Sequence, residues 1–81
     1  SRLRRAVQRV GLVKFDAFDD VGGELSFALA LLDEGGSGVV VCNLYGRNNS
    51  SVYIKDVKQG ASSHELTPEE KEAISRAIAR S

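Results

Sequence analysis

The chain has 81 residues, eleven of them basic and eleven acidic, so its formal net charge is zero. An apolar fraction of 42% beside a charged fraction of 27% describes one small globular domain rather than a disordered segment. One cysteine excludes an internal disulfide, one histidine leaves no ordinary His/Cys zinc site, and no uncharged run approaches the ~20 residues of a membrane span.

The opening, Ser1 to Val10, places Leu3, Ala6, Val7 and Val10 at i, i+3, i+4 and i+7. That spacing predicts an amphipathic helix with Arg2, Arg5 and Arg9 on its other faces. No apolar segment with a small-residue cleavage site follows this basic start, so it does not read as a signal peptide. The chain begins on Ser1 rather than Met, which points to a segment of a longer protein.

Gly11 resets the period. Val13, Phe15 and Ala17 then alternate with Leu12, Lys14 and Asp16, a strand pattern, and Asp19 to Gly23 is a loop. The second strand runs from Leu25 to Leu32, its bulky residues Leu25, Phe27, Leu29 and Leu31 on one face and smaller ones filling the other. Asp33 to Gly38 is a turn. Val39 opens a third strand that continues through Tyr45 with strong β-propensity. Arg47 to Ser51 turns the chain, and Val52 to Val57 is the fourth strand. Pairing Leu31 with Val40 and Arg47 with Ser51 brings the bulky aliphatics to a single face, so these are the expected registers.

Gln59 to Glu65 is a polar loop. Thr67 then caps a helix that starts with Pro68 at its first position and Glu70 completing a capping box. Glu69, Glu70 and Glu72 suit the positive end of the helix dipole and Arg76 and Arg80 the negative end, while Ile74, Ala77, Ile78 and Ser81 make its apolar face.

The expected fold class is therefore α+β: a four-stranded antiparallel β-meander with N- and C-terminal helices (α-β-β-β-β-α) in two layers, one domain spanning residues 1–81. The buried sheet face is expected to carry Val13, Phe15, Leu25, Phe27, Leu29, Leu31, Val40, Cys42, Leu44, Val52 and Ile54 against Leu3, Val7, Val10, Ile74 and Ile78. The opposite face then holds Ala28, Ala30, Leu32, Val39, Val41, Asn43, Tyr45, Tyr53, Lys55 and Val57, with Tyr45 and Tyr53 as cross-strand neighbours. That face is apolar for one that meets water, unless one helix crosses to cover it in a three-layer arrangement.

Chemistry-bearing groups are few. Asp16, Asp19, Asp20 and Glu24 straddle Gly22 and Gly23, and clustered oxygens of this kind suit a hard divalent cation. Their spacing is not that of an EF-hand, and Asp and Gly also form ordinary turns. A phosphate cradle at Gly22-Gly23 needs a helix to follow, whereas a strand does. Cys42 has only His64 as a possible base, and it shares its face with Val40 and Leu44 as a small buried hydrophobe does. No catalytic residue, cofactor or metal ligand is assigned. The basic start could meet phosphate or lipid headgroups, but overall neutrality and five aromatics argue against an extensive nucleic-acid footprint.

Two stretches, VGLVKFDAFDDVGGELSFALALLD from Val10 to Asp33 and GVVVCNLYGRNNSSVYIKDVKQGASSHELTPEEKEAI from Gly38 to Ile74, carry a family likeness. They resemble the C-terminal region of an uncharacterised bacterial family, domain of unknown function 4446. The motif residues are Phe15, Asp16, Phe18, Asp19, Gly22, Gly23 and Glu24, with Tyr45, Gly46 and Arg47. The first aromatic of the pattern is Phe15 here where the family pattern has Tyr. The resemblance implies an N-terminal membrane span and a helical, coiled-coil-like stretch before this domain, and hence a cytoplasmic position at the inner face of the membrane. It implies no activity.

The expected function is a non-catalytic interaction or self-association module, binding a protein partner or a second copy through Asn43, Tyr45, Arg47, Tyr53 and Lys55. Membrane contact is expected only through a segment outside this chain. The alternative is a small-ligand or divalent-metal sensor built on Asp16, Asp19, Asp20, Gly22, Gly23 and Glu24.

Overall fold

The computed structural model describes residues 9–16, 25–46 and 50–79. Four strands, β1 (Arg9–Phe15), β2 (Ser26–Leu32), β3 (Gly38–Tyr45) and β4 (Ser50–Val57), form one antiparallel sheet in chain order, and a helix, α1 (Pro68–Ala79), follows. The class is α+β. The β2–β3 turn is set by Asp33, whose Oδ1 accepts the N–H groups of Gly35 at 2.9 Å and Ser37 at 3.0 Å. Gly36 takes a φ of 83° inside it, a conformation that side chains disfavour. The Asp33 N–H donates to the Ser37 carbonyl at 2.7 Å, which closes a loop from Asp33 to Ser37 and sets Leu32 opposite Gly38.

α1 begins with the expected capping box. Thr67 Oγ1 accepts the Glu70 N–H at 3.2 Å, and Glu70 Oε1 accepts the Thr67 N–H at 2.8 Å. The helix lies across β1 and β2 and reaches β3. Ala73, Ile74 and Ala77 of α1 bury against Ala28, Ala30, Leu32, Val40 and Val57, with Val13, Phe15 and Leu66 at the margin. Gly11 explains the closeness of the packing. A Cβ there would stand 2.0 Å from the Ala73 carbonyl oxygen and 2.6 Å from the Ala77 nitrogen. Helix backbone rests on strand backbone, and only glycine and alanine leave room for it.

Three expectations are corrected. The expected N-terminal helix runs to Val10, but Arg9 and Val10 belong to β1, paired with Leu32 and Leu31; residues 1–8 lie outside the described residues. Gly11 therefore interrupts nothing: it is interior to the strand because α1 crosses above it.

Both expected registers are also wrong. Leu31 pairs with Val39 rather than Val40, and Leu44 pairs with Ser51 rather than Ile54. The shifts are of one and three residues, both odd, and an odd shift exchanges the faces of one strand relative to its neighbour.

The core face is reversed accordingly on β2 and β4. Ala28, Ala30 and Leu32 are buried there, while Phe27, Leu29 and Leu31 are half-buried on the other side, Leu25 is exposed, and Val52 and Ile54 are among the most exposed apolar residues. Val40 and Cys42 are buried under the helix as expected. Where the helix comes within backbone distance, at Gly11 and beside Ala28 and Ala30, it selects small residues, and Leu32, Val40 and Val57 fill the rest of that side.

Candidate functional site

Directly opposed residues in an antiparallel ladder point to the same side of the sheet, so the registers lay out the face away from α1 as a grid. Crossing β1, β2, β3 and β4 in order, one row is Lys14, Phe27, Asn43, Val52. The next is Leu12, Leu29, Val41, Ile54, and the third is Val10, Leu31, Val39, Asp56. The middle row is wholly aliphatic. Among the described residues no helix or strand lies over this grid.

Exposure is greatest at the β4 edge, where Ile54 is 66% and Val52 61% exposed, and it remains high at Val10 and Leu12 on β1. A shallow depression lined by Leu12, Lys14, Phe27 and Leu29 marks the β1–β2 side. Lys14 and Asp56 are the only charged members of the grid and occupy diagonally opposite corners. Both are exposed, and neither has an ion-pair partner among the described residues.

The residues expected to form one surface are divided between the two sides. Asn43 lies on the open face, half-buried, its Nδ2 donating to the Leu25 carbonyl at 3.4 Å. Tyr45 extends that face by one row beside Ser50 and is exposed, and its backbone N–H donates to Ser26 Oγ at 2.9 Å. Tyr53 pairs with Cys42 and Lys55 with Val40, which places both on the α1 side. The two tyrosines are thus on opposite faces and are not neighbours. Arg47 lies outside the described residues.

Lys55 is a tether between β4 and the helix start. Its Nζ donates to Glu70 Oε1 and to the Glu65 carbonyl, each at 2.9 Å. Glu70 is buried, and its Oε2 has no partner among the described residues. Cys42 lies near this pair. Burial first, then the Glu70 carboxylate, push its thiol above the ordinary cysteine value, with Lys55 opposing. A buried thiol held protonated is a packing group and a poor nucleophile. His64 is exposed in the loop before α1, its N–H donating to Ser62 Oγ at 3.1 Å.

Of the acidic group, Asp16 is exposed at the end of β1, and Asp19, Asp20, Gly22, Gly23 and Glu24 lie outside the described residues. Among the described residues no three His, Cys, Asp or Glu side chains gather as metal ligands do.

Sequence reasoning missed Val10, Phe27, Leu29, Leu31, Val52 and Ile54 on this face because it assigned bulk to the core, whereas Leu12 lies opposite Val13 and Phe15 as the alternation places it. A signal was present: Gly11, Ala28 and Ala30 on the strands match Ala73 and Ala77, one turn apart on the helix. Small residues on both elements announce a close contact.

The chain matches, over residues 1–78, the family described as Protein of unknown function (DUF4446), and it belongs to that family. No curated protein and no solved structure matches it.

Proposed function

We propose that this domain is a non-catalytic interaction module that docks a protein through the open face of its sheet. One observation carries the reading: nine of the twelve grid positions are apolar, and no described element covers them. Soluble monomers rarely leave contiguous apolar patches beyond a few hundred Å² in water, and larger ones mark interaction sites. The aliphatic middle row supplies burial, and the corner charges supply orientation.

The family resemblance supports a setting for the module as the head of a membrane-anchored protein. No described helix is long and apolar enough to cross a membrane, so in this reading the anchor belongs to another part of the protein.

The test is site-specific photo-crosslinking of the full-length protein in its own cells. A crosslinker replacing Ile54 or Leu12 should give adducts to a protein chain, and one replacing Glu72 on the outer side of α1 should give none. Absence of adducts from both open-face positions rejects the reading.

A further inference from the structure

We infer that the occupant of the open face is a second copy of this chain, packed sheet on sheet across a two-fold axis with Lys14 of each copy over Asp56 of the other. The inference rests on the docking reading above and adds the partner and the geometry.

The argument is the placement of the two charges. Lys14 and Asp56 lie three strands apart, ~14 Å at a spacing of ~4.8 Å, and four residues apart along the strands, ~13 Å at ~3.3 Å per residue. The grid is thus nearly square. A closed dimer uses the same patch on both copies, with a two-fold axis lying in the contact plane.

Four simple orientations of that axis exist. Running along the strands, it sets Lys14 over Val52 and Asp56 over Val10. Running across the strands, it sets Lys14 over Val10 and Asp56 over Val52. Both arrangements set each charge over a valine at the rim, where it gains no partner and loses part of its hydration. Running along the Lys14–Asp56 diagonal, the axis stacks like charge on like.

Only the axis along the other diagonal, from Val10 to Val52, exchanges Lys14 with Asp56. It forms two reciprocal ion pairs at the rim. The same operation sets Leu12 between Leu31 and Val39, Ile54 between Phe27 and Asn43, and Val10 and Val52 against their own counterparts. Apolar residues then meet apolar residues, with Asn43 as the exception.

A diagonal axis on a square grid runs at about 45° to the strands, so the strands of the two copies cross at about 90°. That is one of the two preferred angles for packed sheets. The face, about 20 Å on a side with its side chains, suits a reversible dimer rather than an obligate one.

Charge exchange tests the geometry directly. Sedimentation equilibrium of the 81-residue chain should show a monomer–dimer equilibrium. Lys14→Glu puts a carboxylate opposite Asp56 twice per dimer, and Asp56→Lys puts an ammonium opposite Lys14 twice. Each should raise the dimer Kd about a hundredfold. An equimolar mixture of the two variants should associate as the parent chain does, because both cross-contacts become attractive, and the double variant K14E/D56K should also recover.

Mixing without recovery, or variants that dimerise unchanged, overturns the pairing. A parent chain that stays monomeric while the Ile54 crosslinker captures a different protein overturns self-pairing and leaves the docking reading intact. Monomer together with no adduct overturns both.

Discussion

Gly11 occupies the point where a strand and a helix meet backbone to backbone, 2.0 Å from the Ala73 carbonyl oxygen when a Cβ is added. Neither contact atom is the end of a flexible side chain, so Gly11→Ala requires α1 to move away from β1. Overpacking of this kind costs about 3 kcal/mol, read as a lower midpoint of urea unfolding. An unchanged midpoint would mean that the helix is not seated there. The glycine itself is plain in the sequence. Its meaning is not, because a glycine ahead of an alternating segment reads equally as a break between helix and strand. Cys42, by contrast, was legible as a buried thiol from its alternation with Val40 and Leu44, and it is 2% exposed.

α1 is the element that local sequence describes best. Its capping box depends on residues three apart and forms as expected. Tertiary structure adds that Glu70 Oε1 is shared between the Thr67 N–H and Lys55, and that Arg76 donates from Nη1 to the Leu12 carbonyl at 2.9 Å besides pairing with Glu72. The second contact covers an edge carbonyl of β1 that would otherwise invite another strand.

The two partners of Glu70 are separable. Thr67→Ala removes one cap and should cost about 1 kcal/mol. Lys55→Ala leaves a buried carboxylate without its cation and should cost about 2 to 4 kcal/mol. Thermal denaturation of both variants checks the order, and a Lys55→Ala cost no larger than that of the cap would refute the tether. The hairpins were legible as hairpins but not in register. The Asp33 turn encloses one residue more than expected, and one residue is enough to exchange faces.

At the scale of the whole molecule, the sheet has a side packed against α1 through Gly11, Ala28, Ala30, Leu32 and Val40, and a greasy side of large residues without a described cover. This inverts the usual association of bulk with burial, and stability measurements detect the inversion. At concentrations too dilute for pairing, Ile54→Thr should leave the unfolding free energy within about 0.5 kcal/mol, since it changes an exposed β-branched residue into another. Val40→Thr places a hydroxyl at a fully buried position under α1 and should cost about 2 kcal/mol. Chemical denaturation of the two variants decides it, and equal costs would show that the sides had been misassigned. The expected binding surface kept Asn43 and Tyr45 on the open side and lost Tyr53 and Lys55 to the helix side.

Sequence alone determined the α+β class, the four strands, the capped final helix and the family, because alternation, turn chemistry and capping act over a few neighbouring residues. The choice of core face waited on the tertiary structure. Both sides of the sheet are apolar enough to be buried, so hydrophobicity could not separate them, and the decision fell to the distance at which a helix carrying Ala73 and Ala77 can approach a strand carrying Gly11.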